Sequence, residues 1–181
     1  MATATKNLEN DHVSILRLID VLEKMIVKQG TNVEHFEMVV DIIKGYADGF
    51  HHAKEENLLF PLMVTKGYST ENGPIAVMLH DHIEGRSYVK GMVKGISDFS
   101  SNPTTALTNI YDNGKGYIAL LRAHIGKENN VLFRMADNVF SPEDQNQLLL
   151  EFAKIEQSES YSKAINHWLA NIEKLETVYN Q

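Results

Sequence analysis

The sequence contains no cysteine and no long apolar run. The absence of cysteine in 181 residues excludes disulfide bonds, thiolate metal ligands and a cysteine nucleophile. No apolar stretch reaches the roughly 18 residues that a membrane span needs, and the segment MATATKNLENDH lacks the apolar core of a signal peptide. We therefore expect a cytoplasmic protein that has no membrane partner.

Basic residues are also scarce relative to acidic ones. The chain has 17 lysines and arginines against 24 acidic residues, a formal net charge of -7, and no cluster of basic side chains. Nucleic-acid binding needs a basic patch that faces the phosphates, so we expect no nucleic-acid partner. The hydrophobic share of 43% is enough for one well-formed core in a chain of this length.

Proline and glycine are few, and they separate segments whose apolar residues have helical spacing. The predicted helices cover residues 8–28, 33–66, 74–99, 103–138, 142–157 and 161–179. Pro61 is expected to bend the second helix or to end it early. Ser141 and Pro142 form a typical helix start.

No segment alternates between apolar and polar residues as a half-buried strand does. The sequence therefore predicts an all-α protein. Four long helices with short connections favour an antiparallel up-down four-helix bundle over residues 1–138. Residues 139–181 are expected to add two C-terminal helices that pack on this bundle.

An internal repeat organises the predicted bundle. The segment HHAKEENLLF (51–60) aligns without a gap with HIGKENNVLF (124–133), and residues 11–13 align with residues 81–83. Each half therefore has a single histidine on its first helix and a His-x-x-x-Glu motif on its second. Paired helical hairpins of this kind form one bundle in which all four helices can direct ligands to one centre.

The His-x-x-x-Glu spacing predicts a metal centre. Residues four apart in a helix share a face, so the motif directs an imidazole and a carboxylate to the same point. Burying two carboxylates without a cation would cost several kcal/mol each. Four neutral imidazoles with two carboxylates carry a charge of -2, which suits two bridged divalent ions. The predicted metal ligands are His12, His51, Glu55, His82, His124 and Glu128.

The overlapping motif in HHAKEE leaves a second pair of candidates. His52 and Glu56 have the same spacing as His51 and Glu55. At 100° per residue, His52 falls in a polar sector with Asp48 and Glu56, whereas His51 shares its face with apolar residues. The sequence therefore favours His51 with Glu55 and keeps His52 with Glu56 as the alternative.

Two further residues lie near the predicted ligands. His80 points about 160° away from His82 on an α-helix, so we expect it on the outer face. It remains a weaker candidate for a ligand. Tyr117 lies two helical turns from His124, and we expect it to pack in the core or to stand behind the ligands.

Four segments carry a resemblance to a known family. They are NDHVSIL (10–16), HHAKEENLLFP (51–61), PIAVMLHDHIEGR (74–86) and YIALLRAHIGKENNVLF (117–133). Over about residues 8–138 the sequence resembles the hemerythrin-like, or HHE cation-binding, family. This resemblance implies a cofactor of two non-haem iron ions, bridged by an oxo or hydroxo group, with Glu55 and Glu128 as bridging or terminal ligands. It also implies a protein that binds or reacts with dioxygen, peroxide or nitric oxide.

The sequence departs from the oxygen-carrying members of that family. Those members have five ligand histidines, two of them four apart on the third helix, and an aspartate five residues after the last one. Here His80 and His82 are only two apart, and Glu128 follows His124 by four. Four clear histidine ligands leave more positions to water or substrate, which favours reaction with peroxide or dioxygen over reversible carriage.

Other interpretations of the same residues stay open at this point. A non-enzymatic module could store or sense iron or oxygen and act through a partner. A ferritin-like centre is a poorer match, because it uses Glu-x-x-His and only Glu9 and His12 have that spacing. A metal-free helical interaction bundle would leave the two inward glutamates without a cation.

Overall fold

A computed structural model describes residues 3–180, and every regular element in this range is a helix. The elements are α1 (Ala4–Val27), α2 (Val33–Ile42), π1 (Ile43–His52), π2 (Glu55–Leu59), α3 (Phe60–Thr65), α4 (Gly73–Asp98), α5 (Pro103–Lys127), π3 (Glu128–Leu132), α6 (Phe133–Val139), α7 (Pro142–Glu156) and α8 (Glu159–Tyr179). The predicted all-α bundle with two further C-terminal helices is confirmed.

The bundle consists of four rods. The first rod is α1, the second runs from α2 to α3, the third is α4, and the fourth runs from α5 to α6. The third and fourth rods pack along most of their length, and α1 packs against α5. In the C-terminal extension, α7 contacts α1 and π2, and α8 contacts α1 and π1. The extension thus lies against the rods that carry the first half of the repeat.

Most helix starts follow from local sequence. Ser141 accepts a hydrogen bond from the backbone of Asp144, whose side chain accepts one from the backbone N–H of Ser141 in return. This reciprocal cap satisfies backbone N–H groups that have no partner inside the helix. Asn102 caps α5 in a simpler way, through the backbone N–H of Thr105.

Pro61 does not end the second rod early, which was one of the two outcomes expected for it. It stands in the first turn of α3, directly after π2, and the rod continues to Thr65. Proline removes one backbone donor, and Pro61 stands close to the point where the hydrogen-bond pattern changes from π-helical to α-helical. The change from π-helix to α-helix thus allows proline within a continuous rod.

Two apolar clusters fill the bundle, one on each side of a polar layer. The larger cluster includes Ile15, Leu22, Phe36, Met92 and Ile118, and the smaller one includes Leu8, Phe60 and Phe133. The polar layer holds the buried histidines and glutamates, which lie along the rods between residues of the two clusters. No helix among residues 3–180 is both long enough and apolar enough to cross a lipid bilayer.

Candidate metal centre

Seven buried side chains with metal-binding atoms form the polar layer. Each is at most 7% exposed, and the two glutamates are completely buried. They are His12, His51, His52, Glu55, His82, His124 and Glu128. The six side chains predicted as ligands are therefore together inside the bundle, and His52 lies with them.

The seven side chains divide into two groups that share Glu55. In each group, one nitrogen or oxygen atom per residue lies within 4.8 Å of the others. The two-histidine group contains His12, His51, Glu55 and Glu128. The three-histidine group contains His52, Glu55, His82 and His124. Two groups with a shared carboxylate are the arrangement expected for two neighbouring cations.

The imidazole Nε2 atoms meet in pairs at the centre of the bundle. His12 Nε2 lies 2.9 Å from His51 Nε2, and His82 Nε2 lies 3.2 Å from His124 Nε2. Each pair joins the two histidines of one repeat half. The internal repeat seen in the sequence is therefore also a repeat of the site.

Both glutamates reach from one histidine pair to the other. The Oε1 and Oε2 atoms of Glu55 lie 3.7 Å from His51 Nε2 and 3.6 Å from His82 Nε2. The Glu128 oxygens lie 3.2 Å from His12 Nε2 and 3.2 Å from His124 Nε2. This placement lets either carboxylate bridge two ions.

The four carboxylate oxygens have no hydrogen-bond partner within the described protein. A fully buried carboxylate without partners costs several kcal/mol, because it has lost its water and gained nothing in return. Cations between the carboxylates and the imidazole nitrogens would remove this cost. The donor set of neutral imidazoles and carboxylates therefore fits a pair of divalent metal ions.

The Nδ1 atom of each of the five histidines faces an oxygen acceptor on the outer side. The pairs are His12 with Asn129 (2.8 Å), His51 with Asp11 (3.2 Å), His52 with Asp48 (3.4 Å), His82 with Glu56 (2.6 Å) and His124 with Asp81 (3.2 Å). From these partners we assign the proton to Nδ1, which leaves the Nε2 lone pair directed to the centre. Metal-binding histidines are typically held in this way.

Burial keeps two of these histidines neutral. Loss of water, followed by the nearby charge of His12, lowers the pKa of His51 to about 4. Loss of water and the proximity of His82 lower the pKa of His52 to about 3. Neutral imidazole is the form that binds a metal, so both rings are available at neutral pH.

The negative charges of the two central carboxylates repel each other when no cation lies between them. Burial and the charge of Glu128 raise the pKa of Glu55 well above its usual value. Burial acts on Glu128 too, but the imidazoles of His124 and His12 outweigh it and lower the pKa of that carboxyl. One carboxylate thus resists ionisation because the other is ionised, a conflict that a divalent ion would relieve.

The position of His52 differs from the sequence prediction. His52 is buried and belongs to the three-histidine group, whereas α-helical geometry placed it in an outer polar sector. The reason is the π-helical backbone of π1, which ends at His52. A π-helix bonds each residue to the one five positions away, so each residue rotates less around the axis than in an α-helix. As a result, His51, His52 and Glu55 all reach the centre.

The remaining candidates lie outside both groups. Glu56 faces the outer nitrogen of His82 and accepts a hydrogen bond from Arg86 at 2.8 Å, and the His82 contact is the largest cause that lowers its pKa to about 2. His80 is exposed, as its helical position predicts. Tyr117 is buried, which raises the pKa of its hydroxyl, and it lines a cavity beside the histidines.

That cavity reaches the three-histidine group from the surface. It has a volume of about 260 Å³. Its lining includes His52, His82 and His124 together with apolar groups such as Leu120 and Val89. A small neutral molecule could therefore reach the histidines along an apolar wall.

Sequence reasoning missed the central position of His52 and the acceptors behind the histidines. The repeat contained a signal for two of those acceptors, because Asp11 and Asp81 occupy matching positions directly before His12 and His82. Each aspartate faces the second histidine of its own repeat half. Asn129 and Glu56 also hold matching positions, and each faces the single histidine of the other repeat half, but their different residue types concealed this correspondence.

Comparison with known proteins gives one family and several partial relatives. The family model described as "Hemerythrin HHE cation binding domain" matches residues 3–136. The chain is 34% identical over 89 residues to an iron-sulfur cluster repair protein YtfE of Edwardsiella ictaluri, which covers 48% of this chain and 40% of that protein. It is 37% identical over 90 residues to the protein of that name from Salmonella newport, again 48% and 40% of the two chains. A probable iron-sulfur cluster repair protein of Haemophilus influenzae is 32% identical over 100 residues, 53% and 44% of the two chains.

The matched part of the chain thus spans only about two fifths of the length of these curated relatives. No solved structure matches the chain. The family model, by contrast, reaches into all four rods and includes all seven side chains of the two groups. The chain therefore belongs to the hemerythrin HHE cation-binding family.

Proposed function

We propose that this protein holds two non-haem iron ions and that it binds or reacts with dioxygen, peroxide or nitric oxide at that centre. The supporting observation is the pair of histidine groups that share Glu55, with four buried carboxylate oxygens that lack hydrogen-bond partners among the described residues. His12 and His51 would hold one ion. The other ion would be held by the three-histidine group, with both glutamates in reach of the two ions.

The two ions, when bound, would supply Lewis-acid polarisation and electron transfer to a small ligand. The protein's own contribution is to hold five imidazole rings in fixed orientations through their outer acceptors, and to exclude water with two apolar clusters. His52 raises the number of histidines to five, so the centre is less open than a four-histidine count implies. The two-histidine group leaves more coordination positions free than the three-histidine group does.

The volume and the lining of the cavity beside the three-histidine group favour a small apolar ligand. Its volume of about 260 Å³ exceeds by several-fold the roughly 30 Å³ that one water molecule occupies in the liquid. Apolar side chains such as Leu120 and Val89 provide most of its lining surface, beside charged residues such as Lys44 and Arg86, and this largely apolar lining suits a small neutral molecule. We propose this cavity as the route by which dioxygen or nitric oxide enters.

Metal content and optical spectra test the proposal directly. Anaerobic reconstitution with ferrous iron is expected to give about two iron ions per chain, the number that two groups predict. Exposure to dioxygen, peroxide or nitric oxide should then produce a new absorption band. The variants His51→Ala and His52→Ala should each lose much of the bound iron, because each removes a neutral ligand from a different group.

His80→Ala is the matched control, because His80 is an exposed histidine on α4. It should retain wild-type iron content. Wild-type protein without iron after reconstitution would contradict the proposal. So would iron-loaded protein that remains spectroscopically inert toward all three ligands.

One observation favours a second candidate, a sensor or store that acts through a partner. The extension contacts the histidine-bearing segment directly, since the Tyr161 hydroxyl donates a hydrogen bond to the Gly49 carbonyl at 2.9 Å. A change in π1 on metal loading would therefore reach α8. Hydrogen exchange that slows in α8 on iron loading would support this candidate, and identical exchange with and without iron would exclude it.

A further inference from the structure

A buried lysine connects the C-terminal extension to the candidate centre. Lys54 is completely buried, which is rare for an ammonium group because it costs free energy to remove it from water. Its Nζ atom donates to Asn7 Oδ1 at 2.9 Å and to Glu156 Oε1 at 3.0 Å, and it lies 2.7 Å from Asp11 Oδ2. It also lies 4.3 Å from the centre of the Phe50 ring.

Lys54 is one contact away from a candidate metal ligand. Asp11 Oδ2 lies 2.7 Å from Lys54 Nζ and 3.2 Å from His51 Nδ1, so one carboxylate oxygen serves both groups. Glu156 shares the same ammonium from the other side. A continuous chain of contacts therefore runs from α7 through Lys54 and Asp11 to His51.

The other half of the repeat lacks the last member of this chain. Lys127 occupies the position that matches Lys54, and it pairs with Asp81, which in turn faces His124. The Lys127 side chain is 40% exposed, and no described residue of the extension pairs with it. Water thus screens the Lys127 charge, whereas the Lys54 charge acts in a dry environment where electrostatic interactions are stronger.

We propose that Glu156 is a positioning residue of the candidate metal centre and acts through Lys54 and Asp11 on His51. This inference rests on the proposed iron centre. Glu156 belongs to the C-terminal extension, beyond residues 3–136 that match the family model. The extension therefore supplies one charged group to a site that otherwise lies within the family domain.

The direction of the effect follows from how the charges are shared. With Glu156 present, the Lys54 ammonium divides its interaction between two carboxylates. Asp11 is then a stronger acceptor for the His51 Nδ1 proton than it would be if Lys54 interacted with Asp11 alone. A stronger acceptor makes the His51 ring a better electron donor to a metal. A better donor favours the more oxidised metal, so removal of the Glu156 charge should raise the reduction potential of the centre.

The test compares Glu156→Gln with wild type and with Glu151→Gln. Glutamine keeps the shape of Glu156 and removes its charge. Glu151 lies on the same helix, its side chain has the same 31% exposure, and it pairs with Lys154 on the surface. Each protein is reconstituted anaerobically with ferrous iron, and its midpoint potential is measured by optical titration. The Nδ1 resonance of His51 is measured by nitrogen NMR in protein loaded with zinc, which is diamagnetic.

The expected result is a higher potential and a shifted His51 resonance in Glu156→Gln, with neither change in Glu151→Gln. Glu156→Asp, which retains the charge, should recover most of the wild-type potential. If Glu156 serves only to dock α7, the variant will lower the melting temperature and leave potential and resonance unchanged, which overturns the inference. Wild-type protein that binds no iron would instead contradict the proposed function itself.

Discussion

The two ring nitrogens of each histidine in the candidate centre have different partners. Nδ1 meets an oxygen acceptor, and Nε2 points toward the buried glutamates. The acceptors therefore matter as much as the ligands, because they set the tautomer and the orientation of each ring. Asp11 and Asp81 provide this function in matching positions of the two repeat halves.

Asp81→Asn is expected to weaken metal binding by about 10- to 100-fold. The amide of the variant cannot offer the charged acceptor that faces His124 Nδ1 at 3.2 Å, so the ring loses its fixed orientation and part of its basicity. Metal affinity is measured by competition with a chelator. Asp98→Asn is the control, since Asp98 also lies on α4 but pairs with the exposed Lys94, a kind of contact that contributes little. Equal affinities for the two variants would contradict the prediction.

The metal-free protein is expected to lose stability as the pH falls from about 6.5 toward 4. The pKa of His51 is about 4 and that of His52 about 3 in the folded chain, against about 6.5 when unfolded. In this range the unfolded chain binds protons that the folded chain does not, so acid favours unfolding, by about 1.4 kcal/mol per pH unit for each ring. The raised pKa of Glu55 offsets part of this loss, because above about pH 4.5 the folded chain holds a proton on Glu55 that the unfolded chain does not. His124, whose pKa is raised, is protonated in both states below about pH 6.5 and does not change the slope there.

Urea unfolding of metal-free protein at several pH values measures this slope. His52→Ala should have a shallower slope than wild type, because it lacks one of the two rings. His80→Ala should match wild type, since His80 is exposed. A slope in His52→Ala as steep as in the wild type would show that His52 does not contribute to the pH dependence of stability.

At the scale of elements, the π-helical segments are the features that most affect the site. Two of them, π2 and π3, begin at Glu55 and Glu128, which hold matching positions in the repeat. The third, π1, ends at His52. π-Helical turns are rare and often occur at functional sites. Here the wider turn allows two adjacent histidines to face one centre.

Gly45→Ala is expected to disturb π1 and the metal site from a distance. A Cβ atom on Gly45 would lie 2.2 Å from Trp168 Cζ2, so the Trp168 ring of α8 must move. Displacement of a packed ring of this size typically costs about 1–3 kcal/mol. Hydrogen exchange in π1 should become faster, and iron release to a chelator should accelerate.

Gly126→Ala is the matched control for this variant. Gly126 is also a helical glycine, but a Cβ atom there would meet nothing within 4 Å apart from its chain neighbours and the backbone of its own helix. Alanine should be neutral or slightly stabilising there, because alanine favours helix more than glycine does. Similar iron release from both variants would contradict a role for the contact between Gly45 and Trp168.

The sequence predicts the helices well and the backbone of the site less well. Apolar spacing and start signals locate all four rods and the two C-terminal helices, since these patterns reflect burial and capping directly. The π-helical register leaves no comparable pattern, because a change in hydrogen bonding of one residue alters few apolar positions. For this reason the sequence assigned His51 and Glu55 to the interior but left His52 outside. Asp48, four residues before His52 and now its acceptor, was part of the same polar sector that suggested the outer position.

At the scale of the molecule, metal binding and folding are expected to stabilise each other. The four carboxylate oxygens without hydrogen bonds make the metal-free centre a costly part of the folded state in the described chain. A free ligand at 100 times its dissociation constant stabilises the folded state by about 2.7 kcal/mol. For a chain of this size, that corresponds to an increase of about 5–10 °C in melting temperature.

Thermal unfolding with and without a chelator tests this prediction. The wild type should melt at a lower temperature after iron removal, and iron should restore the higher value. In His51→Ala the difference between the two conditions should largely disappear. A melting temperature independent of iron in the wild type would contradict the link between metal binding and folding.

We also propose that the bundle of residues 1–138 and the extension of residues 139–181 form one cooperative unit. The extension covers the buried Lys54 through Glu156 and packs Trp168 on Gly45. Both contacts involve the second rod, which carries two of the histidines. The extension is therefore expected to unfold together with that rod.

The repeated hairpin suggests how such a centre could arise by duplication. Each hairpin contributes one pair of facing imidazoles, and each carboxylate reaches across to the pair of the other hairpin. Two identical hairpins joined in this manner would give a centre whose halves were chemically equal. The present chain has lost that equality where His52 matches Ile125 and Glu56 matches Asn129. The double substitution His52→Ile and Glu56→Asn would make the two halves alike at these positions. Comparison with the wild type would then show what the difference between the halves contributes.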